Sequence, residues 1–169
     1  MHSDTYIKCG RLFRNPKATS EVCVKLTNKL KDYECDAILG IAYGGIVPGY
    51  EIAIQLKKPF ILTRKTRADS ISIARGFHIP EHSKLIVIDD VITTGSSVKM
   101  AKVLAEECNS EVSAIGSVVV RNNTALVNSN FELVYLSNPE ANIYDPPTCP
   151  ICEEGVPLRE YESNFTRGG

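Results

Sequence analysis

Leu85–Ser97 reads LIVIDDVITTGSS, an apolar run that ends in two adjacent carboxylates and then a hydroxyl-rich loop with one glycine. The run Leu85 to Ile88 predicts a buried parallel strand, because apolar residues without polar alternation need cover on both faces of a sheet. Asp89 and Asp90 follow at the carboxyl end of this strand, where open α/β sheets bind their ligands. The stretch therefore predicts an α/β fold with a binding site at one strand end.

The loop after the acidic pair predicts an anion site. Thr93–Ser97 supplies hydroxyls and backbone N–H groups just before a helical pattern that starts at Val98, and helix N-termini attract anions. The loop lacks the lysine of the GxxxxGK[ST] loop that binds nucleoside triphosphates. Two carboxylates beside a phosphate would repel it unless they face sugar hydroxyls or a magnesium ion. A sugar phosphate is therefore the expected ligand.

Strand and helix patterns alternate along the chain, which predicts βαβ units around a central, mostly parallel sheet with flanking helices. One helix is expected from a cap at Thr19 or Ser20 to about Lys31, and another over Ile46–Leu56, after Gly44 and Gly45 end the first strand. Arg64–Phe77 reads as a long mobile loop. We expect one domain over residues 1–169, with 138–169 as an extended, proline-rich tail. The remaining predicted strands are Asp36–Ala42, Pro59–Thr63, Val112–Val120 and Phe131–Leu136.

Composition limits the kind of partner. Charged residues make up 23% of the 169 residues and the formal net charge is −1, so no overall charge favours nucleic acid or a membrane surface. No signal peptide and no membrane-spanning stretch is recognised, and a cytoplasmic location with six mostly reduced cysteines is expected. A small molecule is the expected partner.

The segment VIDDVITTGSS (Val87–Ser97) resembles the 5-phosphoribosyl-1-diphosphate (PRPP) signature of the type I phosphoribosyltransferases. The resemblance extends to Ala42–Gly45 (AYGG), to the Arg64-Lys65 pair, to Arg121, and to the tail CPICEEGVPL (Cys149–Leu158). Together these segments are similar to orotate phosphoribosyltransferases of the short bacterial and archaeal branch. The family fold adds a small hood, here expected to be built from the chain ends.

This resemblance implies Mg²⁺-dependent transfer of a 5-phosphoribosyl group from PRPP to orotate, giving orotidine 5-phosphate and diphosphate, in a homodimer with shared sites. The catalytic residues implied are Asp89, Asp90, Lys65 and Arg67, with magnesium held through PRPP near the two aspartates. The base site implied is Thr93 with Arg121, whose planar guanidinium suits a carboxylate. The PRPP-binding residues implied are Tyr43, Gly44, Gly45, Arg64, Lys65, Asp89, Asp90, Val91, Ile92, Thr93, Thr94, Gly95, Ser96 and Ser97.

Two segments depart from the orotate pattern. Cys9–Ser20 reads CGRLFRNPKATS where the SGxxSxxY segment that contacts the pyrimidine is expected, and Ala68–Ser70 stands where the loop lysine is expected. Arg67 is one place away, but an arginine is a poor proton donor at neutral pH. Two alternatives therefore stay open: a phosphoribosyltransferase for another base, and a non-catalytic regulatory protein that senses PRPP.

Cys149 and Cys152 have the spacing of half a zinc knuckle. A closed structural zinc site needs four ligands, and the sequence contains neither a second CxxC pair nor a suitably spaced histidine pair. The preferred interpretation is two thiols in a turn that pins the tail, with zinc shared across a dimer as the alternative.

Overall fold

The computed structural model describes residues 2–66, 70–121 and 131–158. The chain divides into two compact units, one over residues 7–140 and the other formed by both chain ends, residues 1–6 with 141–169. The sequence-based prediction of one domain with a tail over residues 138–169 stays a prediction. Among the described residues, no helix combines the length and the apolar character needed to cross a bilayer.

The larger unit is built on a six-stranded sheet with the spatial order β4-β3-β2-β5-β6-β7. Every neighbouring pair in it is parallel except β3 with β4, which is antiparallel. The predicted α/β fold with a mostly parallel sheet is therefore confirmed. Its strands are β2 (Ala37–Gly40), β3 (Phe60–Lys65), β4 (Ile71–Ile73), β5 (Lys84–Ile92), β6 (Glu111–Val120) and β7 (Leu133–Ser137).

Helices cover both faces of this sheet. Helices α2 (Pro16–Leu30) and α3 (Ala42–Leu56) pack on one face, and α4 (Ser96–Glu107) packs on the other. A short α1 (Gly10–Phe13) precedes them. Residues 85–88 of β5 are fully buried between the two layers, as a continuous apolar run requires. Because β5 lies between β2 and β6, the residues that follow it are at the middle of one edge of the sheet.

Several predicted boundaries are wrong. Helix α2 begins at Pro16 and is capped by Asn15, whose side chain accepts a hydrogen bond from the Ala18 N–H, so Thr19 and Ser20 are not caps. Helix α3 begins at Ala42 and not at Ile46, which places the glycine pair inside its first turn. The predicted loop after Thr63 is partly strand, because β3 continues to Lys65 and pairs with β4.

The smaller unit joins the two chain ends. Strand β1 (His2–Ser3) pairs antiparallel with β8 (Ile143–Tyr144), and a 3-10 turn (Pro146–Thr148) leads into the one-turn helix α5 (Pro150–Glu153). Three prolines of the tail therefore do not exclude regular structure, because Pro146, Pro147 and Pro150 occupy first-turn positions where the missing N–H costs little.

Candidate active site

The two adjacent aspartates lie inside β5 and not after it. The strand continues to Ile92, which pairs with Val120 of β6, so Asp89 and Asp90 sit before the true strand end. The Asp90 N–H donates to Asp89 Oδ1 at 2.9 Å, and the Val91 N–H donates to Asp90 Oδ1 at 2.8 Å. Each carboxylate is therefore held by the backbone of the residue that follows it.

The electrostatics of the acidic pair favour a bound cation or hydroxyl donors. Burial, and then the neighbouring Asp90 charge, raises the pKa of Asp89 from 3.8 to about 8, while Lys65 opposes this shift. Asp89 consequently carries a proton at neutral pH in the ligand-free chain. A magnesium ion or a row of sugar hydroxyls would stabilise the ionised form, and hard oxygen ligands suit magnesium.

A cleft of about 190 Å³ lies next to Asp89 and is lined further by residues 91–98. Gly95 has a left-handed backbone (φ 75°) that turns the chain from the end of β5 into α4. Gly95, the N-cap of α4, has no side chain that could cap the helix, and the Ser96 N–H donates to Thr94 Oγ1 at 3.4 Å. Residues 96–98 of the first helical turn line the cleft. Thr93–Ser97, the segment predicted to bind an anion, thus lines a cleft at a helix N-terminus, and anion binding there stays a prediction.

The glycine pair, 45 positions upstream of the acidic pair, lies directly against it. A methyl group built on Gly44 would lie 2.6 Å from Asp89 Oδ1 and closer still to Asp90 Oδ1. A methyl group on Gly45 would meet the backbone carbonyl of Ile88. Only glycine allows the first turn of α3 to approach β5 this closely. The structure therefore brings together the two segments that the sequence analysis singled out separately.

The turn that delivers the glycine pair is strained and braced. Ala42 has φ 43°, a left-handed conformation that non-glycine residues rarely adopt. The Ala42 N–H donates to the buried hydroxyl of Thr63 at 3.1 Å, and that hydroxyl donates to the Gly40 carbonyl at 3.2 Å. Sequence reasoning missed Thr63. Its only signal is a polar residue at the buried end of an apolar strand.

The basic side chains at the end of β3 are exposed. Arg64 and Lys65 lie on the hairpin with β4, and Lys65 is near enough to Asp89 to act on its pKa. Arg75 is exposed beyond β4, and the Tyr43 side chain is 82% exposed at the start of α3. Arg67, together with Ala68 and Asp69, lies outside the described residues.

Arg121 is buried, with 7% of its surface exposed, and follows β6 directly. Its backbone N–H donates to the Ile92 carbonyl at 2.7 Å, which fixes it beside the end of β5. Thr93 is half-buried and comes next after Ile92. The two residues predicted to contact the base are therefore carried by neighbouring strand ends.

Cys9 also reaches the acidic pair, which the sequence analysis did not predict. Its thiol donates to the Asp90 carbonyl at 3.9 Å. Burial, reinforced by Asp90 and Asp89, raises the pKa of Cys9 to about 11, so it stays a neutral thiol. The signal available was the place of Cys9 at the start of the segment that replaces SGxxSxxY. The start of that segment therefore lies against the acidic pair even though its residues differ.

Comparison with known proteins gives one consistent family. The family profile described as "Phosphoribosyl transferase domain" matches residues 10–145. The chain is 35% identical over 159 residues to an orotate phosphoribosyltransferase of Thermoanaerobacter sp. (strain X514), covering 93% of this chain and 82% of that protein.

Solved structures support the same fold. An adenine phosphoribosyltransferase of Thermoanaerobacter pseudethanolicus superposes with a TM-score of 0.68 at 18% identity, over 76% of this chain and 84% of that one. An orotate phosphoribosyltransferase of Aeropyrum pernix gives a TM-score of 0.63 at 21% identity, over 79% and 78%. At these identities the structures bear on the fold and do not discriminate between bases.

Proposed function

Because the chain belongs to the phosphoribosyl transferase domain family, as an orotate-like type I phosphoribosyltransferase, we propose that it transfers the 5-phosphoribosyl group of PRPP to orotate. The products are orotidine 5-phosphate and diphosphate, and the reaction depends on Mg²⁺. The observation that carries this proposal is the close approach of Gly44 to the Asp89 and Asp90 carboxylates, next to the cleft that Asp89 and residues 91–98 line.

The ribose 5-phosphate part of PRPP is assigned to β5 and the loop after it. The 5-phosphate is assigned to the N–H groups and hydroxyls of residues 93–97, where the α4 N-terminus favours an anion. The ribose hydroxyls are assigned to Asp89 and Asp90, whose outward lone pairs accept hydrogen bonds once both are ionised. Val91 and Ile92 line the cleft between these two groups.

The diphosphate group of PRPP is assigned to the first turn of α3 and the end of β3. Tyr43 and Gly44 offer backbone N–H groups in the first turn of α3. Gly45, whose own N–H donates to the Ile41 carbonyl at 2.8 Å, contributes the space left by its missing side chain. Arg64 and Lys65 offer positive charge from exposed side chains. The chemistry of the donor set fits magnesium, which would be held near Asp89 and Asp90 through PRPP oxygens and would neutralise charge on the leaving diphosphate. Arg67 is proposed as a further cation for that group.

The reaction breaks the bond between the anomeric carbon and diphosphate and forms a bond to a ring nitrogen of the base, whose N–H proton is released to solvent. Positive charge develops on the ribose as the bond to diphosphate breaks, and the Asp89 and Asp90 carboxylates are proposed to stabilise it electrostatically. Arg64 and Lys65 stabilise the departing negative charge. Arg121, assisted by Thr93, orients orotate by pairing with its carboxylate, which a buried guanidinium does well.

A homodimer is also proposed. Helix α3 exposes an apolar stripe at positions spaced three or four residues apart, Tyr43, Val47, Tyr50 and Ile54, which is suited to contact with a second copy. A mixing experiment tests shared sites: one variant lacks Asp89 and Asp90, and the other lacks Arg64, Lys65 and Arg67. Shared sites predict that activity partly returns on subunit exchange. Exchanged dimers without activity would place the basic residues in the site of their own chain.

The proposed substrate is tested by incubating the chain with PRPP, Mg²⁺ and one of six bases, and measuring diphosphate release. The bases are orotate, uracil, adenine, guanine, hypoxanthine and xanthine, and the Asp89→Asn/Asp90→Asn double variant is the inactive control. Release with orotate alone supports the proposal. Release with another base assigns the enzyme to that base, and PRPP binding without release with any base favours a sensing protein.

A further inference from the structure

A histidine and two cysteines from opposite ends of the chain face one another in the smaller unit. His2 lies in β1, while Cys149 and Cys152 flank and occupy α5. The Nδ1 atom of His2 is 3.2 Å from the Sγ atom of Cys152, and the ligand atoms of all three residues lie within 4.8 Å of one another. Three soft or borderline metal donors therefore converge on one point.

The spacing of these donors matches a tetrahedral zinc ion. Zinc bonds of about 2.3 Å to sulfur and about 2.05 Å to nitrogen place two sulfurs about 3.8 Å apart, and a sulfur and a nitrogen about 3.6 Å apart. The His2–Cys152 separation of 3.2 Å is slightly shorter than the second value and the other separations are at most 4.8 Å, so small side-chain shifts would complete the geometry. Two thiolates with one imidazole select zinc over the hard cations magnesium and calcium.

The backbone holds the two cysteines ready for a shared ion. Cys149 is the N-cap of α5 and its carbonyl accepts from the N–H groups of Cys152 and Glu153, both at 3.1 Å. Pro150 starts the helix, and Gly155 follows it with φ 74°. This single tight turn carries both thiols, so little chain entropy is lost when an ion binds them.

The smaller unit lacks an apolar core that would hold the chain ends together. Among its described residues only Ala141 and Cys149 are buried, and its strands are two residues long. Units of this size depend on a cross-link or a metal because they bury too little apolar surface. A metal that joins position 2 to positions 149 and 152 would supply that cross-link.

We infer that His2, Cys149 and Cys152 bind one zinc ion that ties β1 to the turn at α5. Cys149 is 1% exposed, while His2 and Cys152 are half-buried. The described residues supply these three ligands, and the fourth position is left to solvent. This inference does not depend on the proposed catalytic function.

Zinc titration of the untagged full-length chain, reduced and freed of metal by chelation, tests the site. We expect one equivalent of zinc to bind in competition with a chromophoric chelator. Cys149→Ser and Cys152→Ser should lose this binding, and His2→Ala should weaken it at least tenfold. Cys108→Ser and His78→Ala, which change the same residue types in the other unit, should bind as the wild type does.

Cobalt substitution of the wild-type chain gives a second readout that needs no variant to fold. A tetrahedral site with two thiolates predicts intense d–d bands and thiolate-to-cobalt charge transfer, both displaced by one equivalent of zinc. The inference is overturned if the reduced wild-type chain binds no stoichiometric metal or gives an octahedral spectrum. It is equally overturned if Cys152→Ser binds zinc as tightly as the wild type.

Discussion

Gly44→Ala should weaken PRPP binding while it leaves the free energy of unfolding nearly unchanged. The new methyl group would lie 2.6 Å from Asp89 Oδ1 and closer to Asp90 Oδ1, so both carboxylates must rotate away. These are the ends of side chains, which move at low cost. The backbone at Gly44 is helical, where alanine is favoured over glycine by about 1 kcal/mol. The free energy of unfolding should therefore stay within about 1 kcal/mol of the wild-type value.

The binding of PRPP should suffer much more. Rotation of the two carboxylates moves their oxygens away from the positions assigned to the ribose hydroxyls. Loss of a hydrogen bond to a charged group costs about 1.5–3 kcal/mol. Since each 1.4 kcal/mol is about tenfold in affinity, the Kd for PRPP should rise about ten- to hundredfold.

Gly45→Ala is the matched control, one residue along the same helical turn. Its methyl group would lie 2.8 Å from the Gly40 carbonyl carbon and closer to the Ile88 oxygen, and these backbone atoms cannot rotate away. Forcing such a contact costs about 1–3 kcal/mol of stability. Urea unfolding and calorimetric titration with Mg²⁺ and PRPP measure both quantities. Wild-type affinity for PRPP in Gly44→Ala would contradict the predicted loss of binding. Wild-type stability of Gly45→Ala would contradict the predicted backbone clash.

Three further predictions concern the same site. Thr63→Val should lower the free energy of unfolding by about 1–3 kcal/mol in urea melts, because it leaves the buried Ala42 N–H unpaired, whereas Thr63→Ser should restore most of the loss. Between about pH 4 and 8, native chains keep a proton on Asp89 that unfolded chains have released, because the pKa of Asp89 is raised in the fold. The free energy of unfolding of the ligand-free chain should therefore fall as the pH rises through that window. Asp89→Asn should remove that part of the slope; an identical slope in the variant would contradict the assignment. Arg121→Lys should raise the KM for orotate at least tenfold more than the KM for PRPP, because lysine cannot form the paired contacts of a guanidinium; equal changes would move Arg121 out of the base site.

The central strand and its loop could be predicted because their signals are local. Residues 85–88 are apolar without alternation, which only a doubly covered strand explains, and Gly95 precedes a clear helical pattern. The α/β fold, the mostly parallel sheet and the cleft beside Asp89 follow from these features. The exact strand end does not, because the pairing of Ile92 with Val120 depends on a segment distant in sequence.

The start of α3 was predicted wrongly for a related reason. Two glycines and a proline within five residues normally interrupt a helix, and this local rule placed the start at Ile46. The structure starts the helix at Ala42, since Gly44 and Gly45 are needed for close packing against β5. Tertiary contact overrides local propensity here, and it does so at the candidate site.

Other members of the site leave no local signal at all. The hydroxyl of Thr63 braces Ala42 across two strands, and Cys9 reaches the Asp90 carbonyl from a segment with no recognised motif. His2 lies 150 positions from Cys152, so spacing rules for metal ligands cannot connect them. Such long-range contacts become visible only when the fold is known.

The proposed reaction joins the ribosyl phosphate of PRPP to orotate at the Asp89-Asp90 site. Mass spectrometry of the products, with a parallel assay of diphosphate, measures this reaction for the wild type and for Asp89→Asn/Asp90→Asn. We expect orotidine 5-phosphate and diphosphate in equal amounts from the wild-type chain with Mg²⁺, and neither from a folded double variant. Unchanged orotate with the wild type, or full turnover by the double variant, would contradict it.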